Sequence, residues 1–266
     1  MPGAVSDNAR VIGCAIVTGS SSGIGRAIAR RLAADGFPVV LADVRRDPLT
    51  GGEPTDLLIS REGGQCEFVL ADVSSGEACE DLVRRAATNH ERLGVLVNNA
   101  VLAGPHSKPL IETLDADWDA MMAVNLRGPF LLCRAAVRVM LAQEPRGEVR
   151  GRIVNITSQH GMVGVPGHFA YAVGKGGLVQ MTRQIAVEHG RDGIMCNAVA
   201  PGKILTGAPG DLAADPVSAA YVESRTPFGR LGQPTDVAAA VAFLASGQAS
   251  YISGVNLMVD GGWMAY

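Results

Sequence analysis

Tyr171 and Lys175 stand four residues apart in a helix-compatible segment, so a phenol and an ammonium share one helical face. A phenol ionises near pH ~10, and a nearby cation favours the phenolate by about 1.4 kcal/mol for each pKa unit. Tyr171 is therefore a candidate acid and base at neutral pH, with Lys175 as the group that lowers its pKa. Upstream, Ser158 closes the apolar run Val154-Asn-Ile-Thr-Ser158 and offers a hydroxyl to hold the oxygen whose proton is moved. A Tyr-x-x-x-Lys pair is equally compatible with an ordinary amphipathic face. Lysine is scarce, however: Lys108, Lys175 and Lys203 stand among 23 basic residues. An arginine at 175 would replace a compact charge with a planar fork.

These groups need elements to place them. Val154 to Ser158 reads as a buried strand, followed by a Gly/Pro-rich loop and a helix that carries Tyr171 and runs to about Gly190. Near the N-terminus, the apolar run Val11 to Val17 stops at Thr18-Gly-Ser-Ser-Ser-Gly-Ile-Gly25, and a helical pattern follows over Arg26 to Asp35. Strand, glycine-rich turn and helix together suit a dinucleotide. Gly19 permits the tight turn, Gly23 lets backbone approach a pyrophosphate, and Gly25 lets the helix pack on the strand. Ser21, Ser22 and Ile24 belong to the same candidate phosphate cradle. The next strand, Pro38 to Ala42, ends at Asp43, placed to accept hydrogen bonds from both ribose hydroxyls of an adenosine and to repel a 2′-phosphate. NAD is expected and NADP disfavoured, a preference that Arg45 and Arg46 moderate.

Further strands are expected at Glu67 to Ala71, ending at Asp72-Val73; at Leu93 to Val97, ending at Asn98-Asn-Ala100; at Ile194 to Val199, ending at Pro201-Gly202; and at Val255 to Val259. Helices are expected at Thr55 to Arg61, Gly76 to His90, from Asp115 onward, and at Pro234 to Ala245. Alternating strands and helices imply a parallel sheet with a ligand crevice along its C-terminal edge. Within the helix from Asp115, Pro129 has no N–H for the carbonyl of Asn125, so that carbonyl is expected to hold a water near Lys175. Residues 203–227 are expected to form a substrate flap and residues 1–10 a flexible tail.

Composition sets bounds on the rest. A chain of 266 residues, 47% hydrophobic and 18% charged, suits one large globular domain spanning 1–266. A net charge of −3 without a charge block argues against nucleic acid. The five scattered cysteines read as free thiols in a reducing compartment, no Cys or His pair has metal-ligand spacing, and no apolar run reads as a membrane span. A cytoplasmic protein without a metal is expected.

In their joint order, Thr18-Gly-x-x-x-Gly-x-Gly25, Asp72, Asn98-Asn-Ala100, Asn125, Ser158, Tyr171-x-x-x-Lys175, Pro201-Gly202 and Gly261-Gly262 make the chain similar to the single-domain short-chain dehydrogenases/reductases over nearly its whole length. The resemblance implies an α/β fold: a doubly wound, Rossmann-type, seven-stranded parallel sheet with helices on both faces. It implies a catalytic tetrad of Asn125, Ser158, Tyr171 and Lys175, with Lys175 also binding the nicotinamide ribose. It further implies adenine contacts at Asp72 and Val73, cofactor contacts at Asn98, Ala100, Pro201 and Gly202, and carboxamide contacts near Ile204 and Thr206. Homotetramers, with the Asn and Tyr helices paired across interfaces, are usual in that family. Two positions depart from it: Val101 stands where Gly is usual and Gly174 where Ser is common.

The function expected is NAD-dependent interconversion of a secondary alcohol and a ketone. Ser158, Gln159, His160 and Tyr171 would line the substrate side with His106 and His168, which suits a polyol, sugar or other hydroxylated molecule. Alternatives are an NADPH-dependent 3-oxoacyl-(acyl carrier protein) reductase, against which Asp43 and Ser22 speak, and a non-catalytic nucleotide-binding regulator on the same fold.

Overall fold

The computed structural model describes residues 13–104, 107–207 and 216–265, with side chains in the last stretch described from residue 220. Its strands are β1 Cys14–Thr18, β2 Val39–Asp43, β3 Cys66–Leu70, β4 Leu93–Asn98, β5 Gly151–Ile156, β6 Ile194–Pro201 and β7 Asn256–Val259. They form one parallel sheet in the order β3-β2-β1-β4-β5-β6-β7. The order reverses between β1 and β4, where two crossovers leave in opposite directions and open a crevice.

Both faces are covered, so the central strands are apolar throughout instead of alternating. On one face Cys14, Ile16, Leu93, Leu96 and Ile153 meet α3 (Gly76–Asn89), α5 (Gly128–Ala142) and α6 (Phe169–His189). On the other, Ala15, Val17, Val95, Val97 and Val154 meet α1 (Gly23–Ala34) and α8 (Pro234–Ala245). Each fully buried Ile, Leu or Val contributes about 1.5–3 kcal/mol, and these two layers hold the strand ends in register. The remaining α-helices are α2 Thr55–Arg61, α4 Asp115–Met122 and α7 Pro216–Arg225.

Two expectations change, and a third is reached only in part. The helix from Asp115 does not kink simply at Pro129; a π-helical turn, Ala123–Arg127, joins α4 to α5. A proline that cannot donate to the carbonyl four residues back favours such a wider turn, and π turns cluster at functional sites. The joined run Asp115–Ala142 is also long and apolar enough by length and composition to cross a membrane, contrary to the expectation. Here Leu131, Leu132, Ala136 and Met140 are packed into the core. Finally, the flap is only partly described: Ile204 bridges Gly232 and α7 follows, while residues 208–215, like 1–12, lie outside the described residues. Near the last described residues, Gly262 lies against Pro227 and Trp263 under the Arg225 guanidinium at 6.0 Å.

Candidate active site

Strand β5 ends at Ile156 and the chain continues extended through Ser158, whose hydroxyl accepts the His160 N–H at 3.1 Å and caps a 3-10 turn, Gln159–Gly161. Helix α6 begins at Phe169, which puts Tyr171 in its first turn beside that strand end. The Tyr171 phenol and the Ser158 hydroxyl line one cavity, close enough for Ser158 to act on the phenol. One turn further on, Lys175 is buried, donates from Nζ to the Ile156 carbonyl at 2.7 Å, and lies 5.8 Å from the centroid of the Tyr171 ring. The three groups singled out from the sequence thus meet at one point.

Their electrostatics differ from expectation. Burial pushes the Tyr171 phenol up, and the Ser158 hydroxyl only partly offsets this. Burial also pulls the Lys175 ammonium down to about 8. Desolvation therefore dominates at the phenol.

A lysine whose folded pKa is below its unfolded value binds fewer protons when folded, so its unfavourable burial is greatest below pH ~8 and disappears as the unfolded chain titrates above ~10.5. We expect the stability of the wild type relative to Lys175→Met to rise by roughly 3 kcal/mol between those limits. Urea denaturation of both proteins across that range checks it, and a parallel pH dependence in the two would remove the buried charge from the account.

A cavity of about 290 Å³ opens over this cluster, lined by Ser158, Tyr171 and Lys175 and by Ile24, Asn99, Val101, Ile156, Thr157, Pro201, Gly202, Lys203, Ile204 and Thr206. The glycine turn borders it. Gly19 has φ +64, and a Cβ there would lie 2.9 Å from the Ala100 Cα; a Cβ on Gly25 would overlap the Gly19 carbonyl and the Asn99 amide. Gly23, φ +52, faces Thr206 across the opening. At the end of β2, Asp43 accepts the Ser21 N–H at 3.0 Å and the Arg45 N–H at 3.3 Å. Ser21 Oγ donates to the Arg45 carbonyl at 2.6 Å, and Ser22 Oγ accepts the Leu49 N–H at 2.7 Å. The loop, the carboxylate and the open helix N-terminus fit a dinucleotide.

Other sequence-derived site residues sit differently. Asn98 points into the core, donating to Asn155 Oδ1 at 2.8 Å and to Cys133 Sγ at 3.2 Å. Asn125 is fully buried; its amide brackets Leu102, donating to the carbonyl and accepting the N–H at 2.8 Å each, and also donates to Met121 Sδ. Asp72 is exposed and caps Ser74 at 2.9 Å, next to buried Val73. Gln159 and His160 are buried and are not among the residues lining the cavity. The His160, His168 and Tyr171 rings pack with centroids 5.6–6.3 Å apart. His106 lies outside the described residues.

Asn99 and Lys203 were missed by the sequence reading. Asn99 donates to the Thr18 and Gly19 carbonyls at 2.8 and 3.1 Å and so holds the glycine turn to β4. Its place beside Asn98 was the available signal. Lys203 had only its rarity. Among the described residues no group of His, Cys, Asp and Glu could hold a metal, and all five cysteines are free.

Comparison with known proteins agrees with this geometry. A family model described as "Enoyl-(Acyl carrier protein) reductase" matches residues 19–264. A 3beta-hydroxysteroid dehydrogenase of Eggerthella lenta is 40% identical over 254 residues, covering 94% of this chain and 93% of its own. A glucose 1-dehydrogenase of Bacillus subtilis is 36% identical, covering 95% of each chain. Among solved structures, a proposed NAD(P)-dependent gluconate 5-dehydrogenase from Beutenbergia cavernae with NADP bound at low occupancy superposes with a TM-score of 0.85 at 36% identity, over 95% of this chain and 97% of that one. With matches that run nearly end to end and a Ser-Tyr-Lys cluster beside a dinucleotide cradle, the chain belongs to the short-chain dehydrogenase/reductase family and is an oxidoreductase acting on hydroxyl groups with a nicotinamide dinucleotide.

Proposed function

We propose that this enzyme interconverts a secondary alcohol and a ketone with NAD, through Ser158, Tyr171, Lys175 and Asn125. The observation that carries the reading is the Ser158–Tyr171 hydroxyl pair over the buried Lys175 ammonium. The dinucleotide, when bound, supplies the hydride acceptor or donor. In oxidation the ionised Tyr171 takes the proton of the substrate hydroxyl as the carbon loses its hydride; in reduction the phenol returns a proton to the carbonyl oxygen. Ser158 holds that oxygen. Lys175 stabilises the phenolate and anchors the nicotinamide ribose. Asn125, which packs beside Gly174, offers a carbonyl that Pro129 cannot satisfy, suited to a relay water that passes the proton outward. Pure protein mixed with NAD and a panel of secondary alcohols tests the reading: reduced-nicotinamide absorbance should appear with at least one of them, and silence across the panel with NAD and NADP would refute it.

Asp43 supports NAD over NADP. Its carboxylate stands at the end of β2, and Arg46 is engaged in a bidentate pair with Asp56. Replacing Asp43 by Ala should raise KM for NAD about tenfold, equivalent to ~1.4 kcal/mol, and lower the NAD/NADP preference in kcat/KM. An unmoved preference would overturn the assignment.

Gly19, Ser21, Ser22, Gly23, Ile24 and Gly25 would cradle the diphosphate at the N-terminus of α1. Asp72 and Val73 would flank adenine, and Ala100, Pro201, Gly202, Ile204 and Thr206 would contact the nicotinamide half. The exposed apolar Phe130 and Leu141 on α5, with Val173 and Val187 on α6, suit the packing faces of a homotetramer. The free thiols suit a cytoplasmic setting. A polyol or sugar is the substrate class we favour. The acyl-carrier reductase reading is weaker, because Asp43 and Ser22 leave a 2′-phosphate without a cation from the glycine turn.

A further inference from the structure

Two of the residues lining the cavity, Lys175 and Lys203, are cationic, and none is acidic. Lys175 has its place beneath Tyr171 and its bond to the Ile156 carbonyl. Lys203 has neither. Its main chain is fixed, since its carbonyl accepts the Gly232 N–H at 2.9 Å. Its ammonium, however, has no hydrogen bond or ion pair with any described residue. Two carboxylates line the adjoining cavity with it, and both are committed elsewhere. Asp236 binds the Arg230 guanidinium at 2.7 Å and the Gln233 N–H at 2.8 Å; Asp260 accepts the Gly262 and Met264 N–H groups at 2.9 Å each.

Among the described residues nothing compensates this charge. Burial pushes Lys203 down, and no carboxylate pushes it back. Burial holds His160 at about 4 and lowers His168, and the Lys203 charge adds to both effects. The imidazoles are therefore neutral at pH 7. A partly buried ammonium without a counter-ion is unfavourable, and an anion supplied by a ligand relieves it.

We propose that Lys203 reads a carboxylate on the substrate: the alcohol is a hydroxy acid whose hydroxyl lies at Ser158 and Tyr171 while its carboxylate pairs with the Lys203 ammonium. This rests on Ser158 and Tyr171 being the reactive end. One compact point charge beside neutral rings, without an arginine fork or a nest of amides, suits a singly charged carboxylate over a phosphate. It makes Lys203 a specificity residue, and it narrows the substrate from hydroxylated molecules in general to acids of that kind.

The test is initial rates at saturating NAD on pairs of alcohols that differ in a carboxylate against a CH2OH group: D-gluconate with D-glucitol, and 3-hydroxybutyrate with butane-1,3-diol. The acid of at least one pair should exceed its neutral partner in kcat/KM by about tenfold or more, the size of a charge-assisted bond. Lys203→Met should bring that ratio close to one through KM for the acid, with KM for NAD unmoved, and Lys203→Arg should restore part of it. Neutral partners preferred throughout, or a ratio that survives Lys203→Met, overturns the proposal. So does a rise in KM for NAD that accompanies an equal loss on both members of a pair, since Lys203 would then serve the dinucleotide. If no alcohol is turned over with NAD or NADP, the reading of the reactive end fails by itself, and thermal shift of the NADH-bound protein decides the carboxylate site. The acids should raise the Tm of the wild type and not of Lys203→Met, and equal shifts in both proteins overturn it.

Discussion

Tyr171→Phe removes one oxygen and, with it, turnover: kcat should fall by at least the 10²–10⁴-fold typical of a lost general acid or base. The ring stays, so its packing against His160 and His168 and the burial of Lys175 beneath it should persist. Dinucleotide affinity, measured by fluorescence titration of the reduced cofactor, should therefore be nearly unchanged. The split between a lost rate and a retained affinity is what separates a proton-transfer role from a structural one. A variant that keeps most of its rate would remove Tyr171 from the chemistry. The wild type should also need a deprotonated phenol for oxidation, so burial, which pushes that phenol up, predicts alcohol oxidation that keeps rising with pH.

Gly25→Ala carries the second large effect, and it arises from sterics. The added methyl would overlap the Gly19 carbonyl and the Asn99 amide, leaving the turn nowhere to go except outward. Opening it breaks the Asn99 bonds to Thr18 and Gly19 that tie the cradle to β4. Overpacking of a tight site costs about 1–3 kcal/mol, and with backbone on the opposing side the upper end is expected. Dinucleotide affinity should fall about tenfold or more, since a displaced Gly19 takes its neighbouring N–H groups with it. Gly190→Ala is the matched control: its φ is −59 and no atom lies within 4 Å of the added carbon, so Tm should hold or rise slightly. Equal denaturation midpoints for the two variants would show that the turn tolerates a side chain.

The sheet was legible because parallel strands covered on both faces leave continuous apolar runs, and every strand was anticipated to within a few residues at its ends. Helix α2 was found over Thr55–Arg61 because Pro54 and the glycines before it confine it. The π turn was not legible: Pro129 announces that a carbonyl loses its partner, and only the packing of α4 against α6 decides how the backbone responds. The order of the glycine turn, Ser158, Tyr171 and Lys175 along the chain was enough to place them together, since each ends or follows a strand. That the Asn98 side chain faces the core and Gln159 is buried was not legible for a related reason. A polar residue at a strand end can face the crevice or the core, and one residue of register separates the two. The direction of the Tyr171 shift could not be read from spacing, because it depends on how much protein surrounds the phenol.

Beneath the site, Asn98 donates to Asn155, Asn155 donates to Thr182 at 2.9 Å, and Thr182 donates to the Leu178 carbonyl at 2.8 Å. This buried polar chain crosses from β4 to β5 to α6. Ser158 follows Asn155 on one arm and Lys175 precedes Thr182 on the other, so the chain indexes the two arms against each other like a dowel through three planks. The alignment of the reacting groups is thereby set away from the molecule being transformed. The segments around 159–168 and 203–207 can then be rewritten by evolution or by an engineer for a new substrate without disturbing the distances on which the proton transfer depends.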